Sequence, residues 1–316
     1  MYDKVVIYES SVYNPYYNLA VEGVLADTVR ENELKVFLWS NGNTVVIGRH
    51  QNAYLDVNVK RLLKEGGLLA RRSTGGGAVY HDRGNLNFSF VTARKSYDLA
   101  QNNAIILNAV KKLGLNAEVN GRNDIVIGGK KFSGNAYLKT PVYALHHGTV
   151  LISADTSKMS GYLNVNPDKL KGKGVASVRA RVVNLAELNG RIDVECVKKA
   201  IIEVLNESFL SVEKRELSEL DSERISAVEN EISRPEYIFG KNVKLGTAVY
   251  RKFDWGYADV HFTLCGGIIS EIDLFSDALD TEAVESAKSL LSGASAADEF
   301  SSENQIASDV YGLIFK

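Results

Sequence analysis

Between Ala70 and Asp82 the chain reads Ala-Arg-Arg-Ser-Thr-Gly-Gly-Gly-Ala-Val-Tyr-His-Asp, which puts two guanidinium groups, two hydroxyls and a glycine triplet side by side. Each arginine offers a planar fork of donors that matches two oxygens of a phosphate or carboxylate at once. Gly75, Gly76 and Gly77 can take backbone angles closed to other residues and let a ligand approach the main chain, so their N–H groups can converge on an anion. Leu68, Leu69 and Ala70 before the loop and Ala78, Val79 and Tyr80 after it have the apolar, β-prone character of strands. The stretch reads as an anion cradle between two strands, or as a glycine-rich hairpin that merely turns.

A second chemical cluster spans Gly121 to Thr149. Asp124–Ile127 and Phe132–Tyr137 are strand-like and are separated by Gly-Gly-Lys-Lys, which predicts a tight hairpin. Lys131 or Lys130 could stabilise developing negative charge, and Asp124 could ligate Mg²⁺. The plainer alternatives are solvated hairpin charge and a carboxylate that caps a turn. His146 and His147 are adjacent in an extended segment, so they face opposite ways and are poorly placed to share a metal ion. Arg179 and Arg181 stand at strand spacing and would share a face. If the fold unites these pieces, positive charge concentrates around one anionic ligand. The loop lacks the Lys-Ser or Lys-Thr that closes a P-loop, and its glycines do not follow dinucleotide-binding spacing. Residue types favour a nucleotide or an acyl phosphate.

The elements that must position these groups follow from periodicity and caps. Val5–Ile7 predicts a strand. Asn14-Pro15 opens a helix with Tyr17, Ala20, Val21, Val24 and Leu25 on one face. Lys35–Trp39 and Thr44–Gly48 flank Ser-Asn-Gly-Asn, predicting a hairpin turned at Asn41 and Gly42. Asp56 is the expected cap of a helix carrying Val59, Leu62 and Leu63 and ended by Gly66-Gly67. Leu86, Phe88 and Phe90 alternate with Asn87, Ser89 and Val91, the pattern of a half-buried strand. Asp98 opens a helix that stops at Gly114, and Asp193 caps the strongest helix, with Val197, Ile201 and Val204 inward. Ser160 to Gly174 is polar and turn-rich, the composition of a mobile loop. From Glu213 to Glu231 the chain turns charged, which suggests a solvated helix or linker at a domain boundary. A hairpin over Tyr257–Phe275 and a helix over Thr281–Leu291 then predict a small α+β module.

The net charge is only −2, so any anion binding must be local and no nucleic-acid surface is expected. At 316 residues, 45% hydrophobic and 24% charged, the chain has the makings of one large and one small globular domain. Cys196 and Cys265 are too few for a disulfide framework or a cysteine zinc site. No window reaches the length of a membrane span and Met1 to Ser10 lacks signal-peptide character, so a cytoplasmic protein with no membrane partner is expected.

The ordered motifs carry a resemblance. Asn14-Pro15 with Asn18-Leu19-Ala20, Thr44–Arg49 with Gln51-Asn52, Arg71–Asp82, Gly121–Asp124, Lys131-Phe132-Ser133-Gly134, His146–Thr149, and Lys173-Gly174 leading to Ser177–Val182 are together similar to the lipoate-protein ligase A family. Ala180 departs from that family's Ser between the two arginines. The resemblance, within the lipoate/biotin protein ligase superfamily, implies an α+β fold with a catalytic domain over residues 1–235 and an accessory domain over 240–316. It implies an enzyme that activates lipoic acid with ATP and Mg²⁺ to lipoyl-AMP. The lipoyl group then passes to a lysine of lipoyl domains of 2-oxoacid dehydrogenase E2 subunits, or of glycine-cleavage H protein.

By the same resemblance Lys131 is the catalytic residue, and Arg72, Gly77, Ala78, Val79 and Tyr80 join it in binding ATP and lipoyl-AMP. Arg71, Ser73 and His81 border the lipoate pocket, and Asp124 is the metal ligand. Lys173, Gly174, Ser177, Arg179 and Arg181 belong to a loop that closes over the adenylate, which shields an acyl-adenylate from water. The rivals are an octanoyltransferase or lipoyltransferase of the superfamily, a biotin ligase, and a non-catalytic lipoate-binding protein. An octanoyltransferase forms a thioester, and neither Cys196 nor Cys265 stands in the signature motifs.

Overall fold

A computed structural model of the chain describes residues 2–164, 182–240, 246–296 and 300–315. The strands, in chain order, are β1 (Lys4–Glu9), β2 (Glu33–Trp39), β3 (Thr44–Ile47), β4 (Leu68–Arg71), β5 (Val79–His81), β6 (Asn85–Ala93), β7 (Glu118–Asn120), β8 (Asp124–Ile127), β9 (Lys130–Lys139), β10 (Tyr143–Leu151), β11 (Val212–Lys214), β12 (Thr247–Phe253), β13 (Gly256–Cys265) and β14 (Ile268–Phe275). Among the described residues they form an eight-stranded sheet in the order β11-β1-β2-β6-β10-β9-β8-β7 and two three-stranded sheets, β4-β3-β5 and β12-β13-β14. The large sheet is mixed: β11, β1 and β2 are parallel to one another, and the remaining pairs are antiparallel. The α+β class is thus observed.

Strand alternation assigns the two faces. Val5, Ile7, Leu34, Val36, Leu86, Phe88 and Phe90 pack beneath the helices Leu99–Lys112 and Val194–Ser208. Val6, Tyr8, Phe37 and Trp39 pack beneath the first helix, Pro15–Asp27. Asn14 caps that helix by accepting from the Tyr16 and Tyr17 amides, and Pro15 occupies its first position. Asp98 and Asp193 cap the two helices of the other face, as their sequences predict.

The hairpin expected at Asn41 and Gly42 does not form. β2 pairs with β1 and β6, whereas β3 pairs with β4 and β5, and neither turn residue has a positive φ. β2 is apolar on both faces and needs cover on both, which a two-stranded ribbon cannot supply. β6 is buried along its whole length because the first helix covers its polar face. The helix Val59–Lys64 is capped by Asn58; Asp56 instead ends the preceding turn and accepts from Tyr257 Oη at 2.5 Å.

The charged stretch is a helix, Ser222–Ile232, that buries Ile225 and Ile232 against the first helix. It is part of the larger body. Beyond it, β12–β14 and the helices Thr281–Leu291 and Gln305–Phe315 enclose their own core around Val260, Phe262, Leu274, Val284 and Val310. This small unit, with a third strand and a last helix that the sequence reading lacked, leans on the larger one. Ser276 N–H donates to His50 O at 2.9 Å and Asn52 Nδ2 to Asp259 Oδ2 at 3.1 Å. No helix among the described residues is long and apolar enough to cross a membrane.

Gly148, in β10, illustrates how tightly the sheet is packed. A Cβ there would lie 2.5 Å from both Asn135 Oδ1 and Phe88 Cζ. Gly148→Ala should therefore cost about 1–3 kcal/mol through overpacking, read as a lower urea midpoint with unchanged slope. An unchanged midpoint would contradict this packing.

Candidate active site

The loop between β4 and β5 wraps its own guanidinium. Arg72 Nε donates to Thr74 Oγ1 at 3.0 Å, Nη1 to Val46 O at 3.2 Å, and Nη2 to Gly75 O at 2.7 Å and Gly77 O at 2.9 Å. Burial holds its pKa down at about 10, still above neutrality, so it remains a cation. The three glycines have three different reasons. A Cβ on Gly75 would meet Ala278 O at 2.3 Å. Gly76 has φ 90° and donates its N–H to Ala278 O at 3.0 Å. Gly77 has open space beside its Cα and lines a cavity with Ala78, Val79 and His81. Gly48, at the end of β3, must also be glycine, since its Cβ would fall 2.1 Å from Gly76 O.

Lys131 lines the same cavity. The β8–β9 hairpin turns at Gly128 and Gly129, both at positive φ, and Lys131 folds back so that Nζ lies 2.6 Å from Asp124 Oδ1. A Cβ on Gly134 would come 2.7 Å from that Nζ, so a side chain there would displace the ammonium from its present position. Val182 bridges to Lys131, and Val183 N–H donates to Lys131 O at 2.9 Å. Lys173, Gly174, Ser177, Arg179 and Arg181 lie outside the described residues.

The two adjacent histidines face opposite sides of β10. His146 Nε2 is 2.9 Å from Asn135 Oδ1 among Phe88, Phe90 and Tyr137, and burial drives its pKa down to about 3. His147 faces the first helix and the glycine loop: Nδ1 is 2.8 Å from Glu22 Oε1 and Nε2 is 2.8 Å from Thr74 Oγ1. On β5, His81 is driven to about 3 by burial, with smaller pushes from Arg72 and His147.

Of the sequence-predicted residues, Lys131, Arg72, Gly77, Ala78, Val79 and His81 share one cavity. Arg71, Ser73, Tyr80 and Asp124 are not among the residues lining it. The Arg71 guanidinium donates to the carbonyls of Gly48, Arg49, Gln51, Tyr237 and Ile238 at 2.6–3.0 Å, tying the end of β3 to the helix Pro235–Phe239. Tyr80 Oη donates to Asn43 Oδ1 at 3.2 Å, and its ring is buried. Magnesium that arrives with a nucleotide is held by one or two carboxylates together with the phosphates, and Asp124 stands beside Lys131. Asp124 is a single carboxylate facing an ammonium, and among the described residues no three His, Cys, Asp or Glu cluster to hold a metal. Sequence reasoning missed Trp39, Asn87, Asn135 and Thr149 in the wall. Asn85, Asn87 and Ser89 on one face of an otherwise apolar strand were the signal for the second.

The arginine-clamped glycine loop of the small sheet and the hairpin lysine of the large one face a single cavity, and the family that carries this arrangement is known from similar proteins. Residues 14–206 match the model of the lipoyl protein ligase A/B catalytic domain, and residues 244–300 match that of the bacterial lipoate protein ligase C-terminus. The lipoate-protein ligase A of Psychrobacter cryohalolentis is 40% identical over 297 residues, covering 91% of this chain and 88% of that one. The chain belongs to the lipoate-protein ligase A family and is a ligase. Among solved structures, LipL1 of P. falciparum in complex with lipoate is 28% identical, with TM-score 0.83 and 99% of each chain covered. The bipartite lipoate protein ligase of Thermoplasma acidophilum, described with its E2 lipoyl domain, is 28% identical with TM-score 0.65, covering 78% of this chain and 100% of that one. A lipoate-protein ligase A bound with ATP is 28% identical with TM-score 0.63, covering 76% and 99%.

Arg71→Ala would leave these five carbonyls without their donor and should cost about 3–5 kcal/mol, measured as a fall in unfolding free energy; a loss confined to lipoate binding would refute the structural role. His81 and His146 are both held near 3, below the ordinary value of 6.5. Between those limits the unfolded chain binds protons that the native one does not, so stability falls as pH drops below about 6.5, by roughly 1.4 kcal/mol per unit and imidazole. Calorimetry should show a lower Tm at pH 5 than at pH 7.5; a flat profile would refute the assignment.

Proposed function

We propose that this ligase joins lipoic acid to AMP at the expense of ATP and then passes the lipoyl group to a lysine of a lipoyl domain, or of glycine-cleavage H protein. In the first step a carboxylate oxygen attacks the α-phosphorus and the bond to pyrophosphate breaks. In the second, a neutral lysine amine attacks the acyl carbon, the bond to AMP breaks, and the amine proton leaves to solvent. Activation is required because a carboxylate does not acylate an amine at neutral pH, and AMP is the better leaving group.

The observation that carries this reading is Lys131 lining the same cavity as Gly77, Ala78 and Val79. The first step brings anion against anion, and a fixed ammonium between carboxylate and phosphate stabilises the charge of the transition state. In the free protein Asp124 holds Lys131 in place. We assign Arg72 to shaping the loop, the backbone of Gly77–Val79 to the nucleotide, and His81 to the acyl end of the pocket. Lys173, Gly174, Ser177, Arg179 and Arg181 are assigned by their motif to closure over the adenylate. Catalysis is assigned to residues 1–235 and an accessory role to 240–316. Support for lipoate, ATP and a lipoyl-domain acceptor comes from relatives described with each of them. A thioester route is disfavoured, because neither Cys196 nor Cys265 lines the cavity.

The test is lipoate-dependent exchange of pyrophosphate into ATP. Lys131→Ala should lower the rate by roughly 10²–10³-fold with the fold retained by circular dichroism. Full activity in the variant would remove Lys131 from the chemistry, and no exchange by the wild-type protein would overturn the ligase reading.

A further inference from the structure

Asn18 and Glu22 lie one helical turn apart on the first helix, both at most 2% exposed. Each begins a chain of buried hydrogen bonds that ends on an imidazole of the cavity wall, and the direction of every bond can be worked out from groups with only one possible role.

In the first chain, Asn18 Nδ2 faces Val12 O at 2.8 Å and Ser40 O at 3.1 Å. Backbone carbonyls only accept, so the amide must present its NH₂ there, and this settles its orientation independently of how oxygen and nitrogen are assigned. The same NH₂ is 3.0 Å from Asn41, so its two hydrogens are shared among three oxygens; an amide nitrogen facing it would be repelled, and Asn41 therefore turns Oδ1 to Asn18 and its own NH₂ to His81 Nδ1 at 3.1 Å. That nitrogen must then be a lone pair. The His81 proton sits on Nε2, which has no partner among the described residues although it is buried.

In the second chain, Trp39 Nε1–H can only donate, and it meets Ser89 Oγ at 3.0 Å. Ser89 therefore gives its proton to Glu22 Oε1 at 2.5 Å. At the far end the Glu22 carboxylate can only accept, so His147 carries a proton on Nδ1 and donates to Glu22 Oε1 at 2.8 Å. In the neutral ring Nε2 is then a lone pair and accepts from Thr74 Oγ1 at 2.8 Å, while Arg72 Nε–H donates to the same hydroxyl at 3.0 Å. Groups of a single role stand at both ends, and the Glu22 carboxylate receives from both directions.

We infer that Asn18 and Glu22 are positioning residues that set opposite tautomers on the two cavity histidines, Nε2–H on His81 and Nδ1–H on His147. His81 then offers a hydrogen-bond donor to the ligand, and His147 accepts from Thr74 so that Thr74 can accept from Arg72 and fix the glycine loop. The unspent donor of His81 selects a ligand that brings an acceptor oxygen to it, since a buried N–H left unpaired keeps its desolvation penalty. The acyl carboxylate, or the carbonyl it becomes, supplies that oxygen. This last consequence rests on the ligase reading above, and the tautomers do not.

The test labels the five histidines with ¹⁵N and reads two- and three-bond proton correlations in the ligand-free protein. His81 is expected as the Nε2–H form and His147 as the Nδ1–H form; the opposite tautomer at either ring overturns the proposal. Asn41→Asp keeps the size of the side chain and the acceptor for Asn18, yet demands a proton on His81 Nδ1. It should move the proton there and lower kcat for pyrophosphate exchange by about tenfold or more, with KM for ATP changed by less than about twofold. A relocated proton with wild-type exchange would overturn the functional half. Thr74→Val should lose about tenfold and Thr74→Ser should recover most of it, whereas equal losses would reduce the second chain to packing. Because tautomers are read without substrate, a wild-type protein that fails to exchange refutes the ligase reading alone.

Discussion

Two neighbouring guanidinium groups, Arg71 and Arg72, are buried to 8% and 6% exposure without a carboxylate at ion-pair distance among the described residues. A desolvated cation survives in a protein only when its donors are met, and here they are met by carbonyls. Alternation along the strand end sends the two forks to opposite places. Arg71 gathers carbonyls from two distant segments and sets where the helix Pro235–Phe239 lies against β3. Arg72 gathers carbonyls from its own loop and sets the curve of the glycine triplet.

The consequence is a loop whose shape is set by its own arginine. Its positive charge is spent on structure, which leaves Lys131, among the described residues, as the other cation of the cavity wall, held by one partly exposed carboxylate. That division suits the proposed reaction, in which a phosphate and a carboxylate are brought together: backbone donors define the site, and a fixed ammonium meets the developing charge. The small C-terminal unit touches this arrangement directly, because Ala278 takes the Gly76 amide and crowds Gly75. The glycine loop is therefore read from both sides, by the large sheet below and by the accessory unit above.

The first helix has a comparable double duty. Leu19, Ala20, Val24 and Leu25 face the sheet as its periodicity demands, and the polar positions Asn18 and Glu22 on that buried side are paired through Asn41, Ser89 and His147. The Glu22 chain is closed at both ends, whereas the Asn18 chain leaves Asn18 Oδ1 and His81 Nε2 without partners among the described residues. Direction is legible in both because backbone carbonyls, a carboxylate and an indole N–H have only one role each.

The sequence by itself determined the helices with caps, the hairpin carrying Lys131, the α+β class and the family, because these depend on local backbone preference and on ordered short motifs. It placed Lys131, Gly77 and His81 in one site through resemblance, and it stated that His146 and His147 face apart through strand alternation. Tertiary structure alone decided that β2 and β3 belong to different sheets, since burial on both faces is a property of neighbours and not of a turn sequence. It alone decided that Arg71 is a strut, that Arg72 clamps its own loop, and that Glu22 speaks to a histidine 125 residues away. A guanidinium fork looks the same in sequence whether it binds phosphate or carbonyl oxygen, and only the positions of distant carbonyls distinguish the two.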